Sequence, residues 1–408
     1  MCKIFTASLL SLFLIFATAS AQTDSVKKEQ KWYDKISLRG YTQVRYNRLL
    51  ETNPDLKCEQ CDRSWGDNGS IFIRRARLIF SGNVHERVYI YIQPDLASSA
   101  SSTSLQFAQL RDAYFDLSLD SAKEFRLRLG QSKIPFGFEN LQSSQNRLPL
   151  DRADALNSAV SNERDLAAFF YWAPSETRKL FSELVAKGLK GSGDYGVVGF
   201  GAFNGQTANR PELNNNLHMV GRVSYPFQIF GQIIEPGIQA YSGRVVIADR
   251  SSSSVTGERE FRDQRVAATF VMYPQPFGIL AEFNVGRGPE FTTGFKNDTA
   301  GNPTILTRSI EEKPLEGGAV TVSFKTDIFG QTLIPFGRAQ YYKGGKKHEI
   351  DARRYLVREY EAGVEWQPIP AFELVAMYTI SDRTFEDGAK ISNRQKGNLL
   401  RLQAQFNY

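Results

Sequence analysis

After residue 21 the sequence has no apolar run as long as the roughly 18–20 residues that a bilayer-spanning helix needs. Mean hydropathy is −0.35. A bundle of membrane helices is therefore excluded. Histidine and cysteine are scarce, with three of each in 408 residues. His85, His218 and His348 show no ligand spacing, so no metal site is expected. No serine motif lies near His85 or His218, which removes the material for a Ser/His/Asp enzyme on a barrel rim. The Gly286–Gly288 run is not followed by a phosphate-loop lysine, so nucleotide binding is not expected. The sequence implies no cofactor and no nucleic-acid partner. Cys2 precedes the first apolar run and cannot be a lipoprotein anchor. Cys58 and Cys61 remain, as C-E-Q-C, and in an oxidising compartment a local disulfide between them is expected.

What is present points to export and to strands. Lys3, the apolar run Ile4–Ala17 and Ala19-Ser20-Ala21 form the pattern of a secretory signal peptide, with cleavage before Gln22. Residues 22–35 are polar and read as an exposed lead-in. Aromatics make up 12% of the chain, dominated by 29 Phe and 17 Tyr, beside 32 Gly. An exported chain of this composition fits a transmembrane β-barrel, where lipid-facing and lumen-facing residues average to a low hydropathy. The net charge of +6, which favours anionic partners only if the cations are concentrated, falls to +5 when Lys3 leaves.

Sixteen strands are expected, at 36–46, 70–83, 86–95, 109–119, 123–133, 164–172, 195–204, 217–227, 231–244, 261–273, 276–287, 313–325, 331–343, 354–367, 370–383 and 396–408. Connections after even-numbered strands are short. Those after odd-numbered strands are long and polar, 288–312 among them. Short turns at one end and long loops at the other predict an all-β fold: an antiparallel transmembrane barrel over 36–408, with periplasmic turns and external loops. One connection breaks the rule. Ala173–Asp194 is long at the short-turn end, and Leu180, Phe181, Leu184 and Val185 suit an amphipathic helix, with an extended hairpin as the alternative. The last strand ends on alternating Leu400, Leu402, Ala404, Phe406 and Tyr408, which resembles the signal read by the barrel assembly machinery.

The stretch Phe125–Gly137 organises the functional reading. Phe125, Leu127 and Leu129 face one way, Arg126 and Arg128 the other, because successive strand side chains leave on opposite faces. Arg39 and Arg45 share a face on the first strand, Arg75 and Arg77 on the second. A mid-bilayer arginine facing lipid costs about 2–4 kcal/mol, so these are expected in the lumen. Arg74 falls on the opposite face and must lie near an interface or be paired. The connection 134–163 is expected to fold inward as a constriction loop, because Leu141, Leu148 and Leu150 need cover. Lys133, Arg147 and Arg152 are then constriction cations, with Asp151 and Asp154 as possible neutralising groups. Two roles compete for the strand arginines: a cationic stripe that guides anions, or a brace paired with Asp112 and Asp116.

Several segments resemble the phosphate-selective porin O and P family. They are Arg74–Leu78, Gln93–Asp95, Leu110–Asp116, Leu127–Gly137 with Glu139, and Arg164-Asp165. The resemblance covers roughly residues 70–170. It implies a sixteen-stranded outer-membrane porin, commonly a homotrimer, that passes small inorganic anions such as phosphate. Ala173–Asp194 is longer than the resemblance leads one to expect, and no arginine series matches the family's pore ladder one by one. A general diffusion porin and an adhesin or structural barrel are the alternatives.

Overall fold

The computed structural model describes residues 31–58, 65, 66, 68–98, 106–251, 259–297, 299–301, 303–386 and 392–408. The expected leader, most of the lead-in and Cys61 lie outside the described residues. What is described of the lead-in is one exposed turn of 3-10 helix, Trp32–Lys35.

The chain forms one closed antiparallel sheet. Among the described residues the strands are β1 (Ser37–Leu49), β2 (Ile71–His85), β3 (Val88–Ser98), β4 (Gln106–Ser118), β5 (Phe125–Lys133), β6 (Arg164–Trp172), β7 (Val198–Phe203), β8 (His218–Ser224 continued by Phe227–Ile229), β9 (Gln232–Val246), β10 (Glu260–Met272), β11 (Phe277–Asn297), β12 (Pro303–Phe324 continued by Thr326–Ile328), β13 (Gln331–Gly345), β14 (Arg354–Ile369), β15 (Phe372–Phe385) and β16 (Asn393–Asn407). The two interrupted strands each keep a single partner across the break, so the barrel has sixteen. β1 pairs with β16 from Tyr41↔Asn407 onward, and no edge is left open. Closure is required in lipid, where each unpaired backbone group costs several kcal/mol.

Period-two alternation explains which residues go where. On β16, Leu402 and Phe406 face outward while Arg401, Gln403 and Gln405 are buried inside. On β5, Phe125 is outside and Arg126 and Arg128 are inside. Two departures matter. The β1–β2 register slips between Gln43↔Arg75 and Val44↔Ile73, which leaves Arg74 as an extra residue in a β-bulge. The bulge turns Arg74 inward together with Arg75 and Arg77, all three buried, so strict alternation misplaces it. On β5, Gly130 adopts φ 121°, and a Cβ there would lie 2.3 Å from the Ala113 carbonyl oxygen. Beyond this kink Gln131, Ser132 and Lys133 are all buried.

The stretch 288–312, expected as an external loop, is instead mostly hairpin. β11 and β12 stay paired out to Asn297↔Pro303. Their polar residues satisfy each other's backbone groups beyond the apolar band, so the ladder has no reason to stop there. The long connection at the short-turn end contains a helix, α3 (Ser175–Ala186), in agreement with the amphipathic reading. The two shorter helices, α1 (Phe138–Leu141) and α2 (Asp154–Ala159), belong to the connection between β5 and β6.

The chain terminus seals the seam: Tyr408 donates its N–H to the Gly40 carbonyl at 3.0 Å and accepts from Gly40 N–H at 2.6 Å. Deleting Phe406–Tyr408 should abolish the compact, heat-modifiable barrel band in unheated detergent gels. Wild-type levels of that band would show that the seam closes without these residues.

Candidate functional site

The site is the barrel interior, and the segment 134–163 shapes it. Nearly every residue of this segment is buried, because it lies within the lumen. Ile134, Phe136, Leu156 and Val160 pack against wall residues Phe169, Phe203 and Tyr241. Leu148 and Leu150 pack against Ile334, Phe336, Val375 and Met377. The wall thus carries inward-facing apolar patches where the loop lies. Gly137 takes φ 79° at the turn into α1, and a Cβ there would meet Leu156 at 2.3 Å. Glu282 on β11 accepts the backbone N–H groups of Phe138 and Glu139, both at 2.7 Å, and so caps α1.

Charge pairs fasten the loop around the bore. Asp151 holds Arg45 at 3.1 Å and also pairs with Arg401. Asp154 holds Arg383 at 2.8 Å and also pairs with Lys346. Glu139 pairs with Arg338 at 3.0 Å. Arg265 donates to the carbonyl and hydroxyl of Ser158 at the end of α2, at 3.0 and 2.7 Å. Glu163 collects Arg147 at 2.5 Å, Arg152 at 3.5 Å and Arg164. Burial pushes the Glu163 carboxyl up, but Arg164, Arg147, Arg152 and Lys133 outweigh it and hold the group well below the usual carboxylate range.

Of the nine cations expected to line a pore, eight are buried and held. Arg45 is on Asp151, and Arg75 donates to Gln43 at 2.9 Å. Arg77 pairs with Asp95 at 2.8 Å and donates to Tyr41 and Ser144. Arg126 pairs with Asp194 at 2.6 Å, and Arg128 is bidentate on Asp116 at 2.7 and 2.8 Å. Lys133 donates to the carbonyls of Leu141 and Gln142. Arg147 and Arg152 serve Glu163. The ninth, Arg39, is exposed and has no ion-pair partner among the described residues. Of the expected braces, Asp116 takes Arg128, whereas Asp112 takes Arg164. Asp151 and Asp154 pair with wall cations: Arg45 and Arg401 for the first, Arg383 and Lys346 for the second. Arg265, Arg338, Arg383 and Arg401 are the residues that sequence reasoning missed. The inward face of β16 carried the signal for Arg401, but their loop partners lie over a hundred positions away.

Cys58 is disulfide-bonded; its expected partner, Cys61, lies outside the described residues. The same connection brings Trp65 over the guanidinium groups of Arg383 and Arg401, at 5.0 and 5.6 Å from the ring centroid. Among the described residues no group of His, Cys, Asp and Glu could hold a metal ion.

A second segment enters from the short-turn end. Helix α3 buries Phe181 and Leu184 against Phe138 of the loop and Ile233, Val271 and Tyr273 of the wall. It ends at Gly188, φ 63°, where Leu189 N–H bonds the Leu184 carbonyl. That is a Schellman stop, with Leu189 packed back on Leu184. The chain is then fastened across the mouth. Lys190 pairs with Glu365 on β14 at 2.5 Å, and Gln142 of the loop donates to the Lys190 carbonyl at 2.6 Å. Asp194 bridges Arg126 and Arg178 at 2.6 and 2.7 Å.

Water-accessible space remains beside these segments. A vestibule of about 460 Å³ at the short-turn mouth has Arg39, Lys187, Lys190 and Lys325 on its lining against Glu373. A cavity of about 220 Å³ lies deeper, between the β1–β6 wall, the loop and residues 192–195. Arg39, Arg128, Lys133 and Arg164 line it against Asp112 and Asp194. Arg39, Ile79, Gln145, Asn146 and Val185 border both spaces. A third space, of about 480 Å³, opens at the long-loop end, where Arg210 and Lys347 balance Asp249 and Glu349.

Two expectations follow. Lys190→Ala leaves Glu365 without its cation, a loss toward the lower end of about 3–5 kcal/mol because Lys190 borders water. Single-channel conductance should rise as residues 187–195 leave the mouth; unchanged conductance would show that they do not obstruct it. The pH dependence of the loop follows from Glu163. Its folded value is depressed, so its contribution is complete above the unfolded value near 4.3 and is lost as pH falls through the folded one. Conductance should be flat between pH 7 and 5 and change only in stronger acid. A step near pH 6 would assign control of the loop to another group.

The fold is that of solved outer-membrane barrels. The outer membrane channel DcaP of Acinetobacter baumannii aligns with a TM-score of 0.53 at 13% identity, covering 91% of this chain and 97% of that one. OmpT of Vibrio cholerae, in a trimer form, gives 0.50 at 11% identity, covering 92% and 100%. An anion-selective porin from Comamonas acidovorans gives 0.50 at 8% identity, covering 91% and 99%. Identities this low speak for the fold alone. No curated protein matches the sequence. Residues 54–306 match the family described as phosphate-selective porin O and P. That match covers more than half of the chain and runs from before β2 into β12, so this bacterial outer-membrane barrel belongs to the phosphate-selective porin O and P family.

Proposed function

We propose that the protein is a water-filled channel for passive diffusion of small anions, with 134–163 as its constriction loop. The observation that carries this is the lining of the two joined spaces at the short-turn end. Cations outnumber carboxylates in both, and Arg39, the cation between them, has no ion-pair partner among the described residues. One charge pair at 4 Å is worth about 1 kcal/mol in water and about 4 kcal/mol at an effective dielectric near 20. Arg39 stands in the wet vestibule, nearer the lower figure. Weak attraction suits conduction, since an ion must also leave.

Anion preference without a dedicated phosphate site is the form of this reading that the pairing favours. A tight oxyanion site needs several uncommitted donors, and Arg128, Arg164 and Lys133 already serve protein acceptors. An adhesin or purely structural barrel leaves the cation excess along the joined spaces without a role. Residues 1–21 serve as the export signal in this reading. The barrel assembly machinery takes up the aromatic C-terminal strand, and outer-membrane lipid surrounds the apolar outer face. The subunits form a homotrimer, consistent with the family and with the trimer form of the Vibrio cholerae barrel.

The test is ion selectivity in planar bilayers under a salt gradient. Wild-type pores should prefer chloride over potassium, less so at high salt through screening. Arg39→Gln should move the reversal potential toward zero, and Arg39→Glu past it, with folding intact because Arg39 braces nothing. Cation preference in the wild type would sink the reading. Arg128→Gln, by contrast, is expected to destabilise the barrel, since it leaves Asp116 buried beside one distant arginine.

A further inference from the structure

We infer that the cavity of about 220 Å³ is a weak binding site for organic carboxylates that carry a flat ring, a solute class narrower than small anions. The inference rests on the channel reading and adds a substrate class to it. Three features of the cavity lead to it.

The first is its aromatic wall. Tyr91 and Tyr114 stack at 5.2 Å with 11° between their planes. Arg128 lies over Tyr114 at 3.9 Å and within 5.4 Å of Tyr195. All three tyrosines are half-buried and border the cavity. Tyr114 lies between Tyr91 and Arg128, so a planar solute meets ring edges and the remaining surface of Tyr91 and Tyr195, a contact that a small inorganic ion cannot make.

The second is the supply of donors. Arg128 is committed to Asp116, Arg164 to Asp112 and Glu163, and Lys133 to two carbonyls. Arg39 is the lining guanidinium with no hydrogen-bond or ion-pair partner among the described residues. One open planar fork matches one carboxylate in a bidentate pair. It does not match a compact multivalent oxyanion, which needs donors from several sides. Gln93, Ser143, Gln145 and Asn146 add neutral hydrogen-bonding groups around the same space.

The third is how the cavity is built. Ser192, Gly193, Asp194 and Tyr195 form one side of it. They belong to the long connection at the short-turn end, which the barrel itself does not require. Asp194 is pinned by Arg126 and Arg178, and that fixes Tyr195 opposite Tyr114. The extra segment therefore narrows the mouth and at the same time supplies a ring to the cavity.

The experiment is current block in planar bilayers in potassium chloride, with benzoate, acetate, inorganic phosphate and benzyl alcohol added separately. Benzoate should interrupt the current at a millimolar concentration about fivefold to tenfold below that needed for acetate, the gain expected from ring contacts. Benzyl alcohol, which has the ring without the charge, should block less than benzoate. Tyr195→Ala should bring benzoate to the level of acetate, and Tyr195→Phe should keep the difference. Tyr195 lies outside the strands, so the barrel should fold in both. Arg39→Gln should weaken benzoate and acetate alike. Equal block by acetate and benzoate, equal block by benzyl alcohol, or stronger block by phosphate would each overturn the inference. An anion-preferring current without benzoate preference overturns this inference and leaves the channel standing. A cation-preferring current overturns the channel and this inference together.

Discussion

The constraint on which the rest depends is the pairing of charge inside a narrow barrel. Lipid surrounds the outer face, so alternation sends the arginines of β1, β2, β5, β13, β15 and β16 inward. Once inside they meet a loop whose residues are nearly all buried. An uncompensated charge in such a place costs several kcal/mol, so each inward arginine needs a partner. The loop supplies Glu139, Asp151, Asp154 and Glu163, one carboxylate for each region of wall that it crosses. The arginines that alternation sends inward are thus also the ones that hold the loop in place.

This arrangement separates two roles that share one residue type. Paired arginines set the loop's position and contribute little net field to the lumen. An unpaired one contributes field and holds nothing in place. Arg39 is of the second kind: it faces the vestibule and makes no ion pair among the described residues, with Glu373 and Asp112 on the same linings. Lys187 and Lys325, beside it on the vestibule lining, are held by Glu183 and by the Lys187 carbonyl.

The two inserted segments are coupled. Phe138 of the loop packs with Phe181 and Leu184 of α3, and Gln142 bonds the Lys190 backbone. The sequence pointed to an inward fold for the loop 134–163 and left the role of 173–194 open. The helix stop at Gly188 brings a second chain segment across the mouth, where Lys190 reaches Glu365 on the far wall. Displacing either segment removes packing from the other.

The sequence by itself determined the barrel. Sixteen strands, their faces, the alternation of short and long connections, the helix in 173–194 and the inward course of 134–163 are all legible, because strand period and turn length are local properties. It also determined that Arg45, Arg75, Arg77, Arg126 and Arg128 point inward, since facing lipid is too costly. Three things only the tertiary structure decided. The bulge at Arg74 turns that residue to the inward face, and a register slip depends on the partner strand. The β11–β12 ladder runs through a stretch that reads as a polar loop, because only pairing shows where a hairpin ends. Which arginines are braces and which are free depends on contacts between Asp151 and Arg401, or Asp154 and Arg383, 250 and 229 positions apart. No local pattern encodes the partner of a charge that lies across the lumen, so the face of each arginine could be read from the sequence and its role could not.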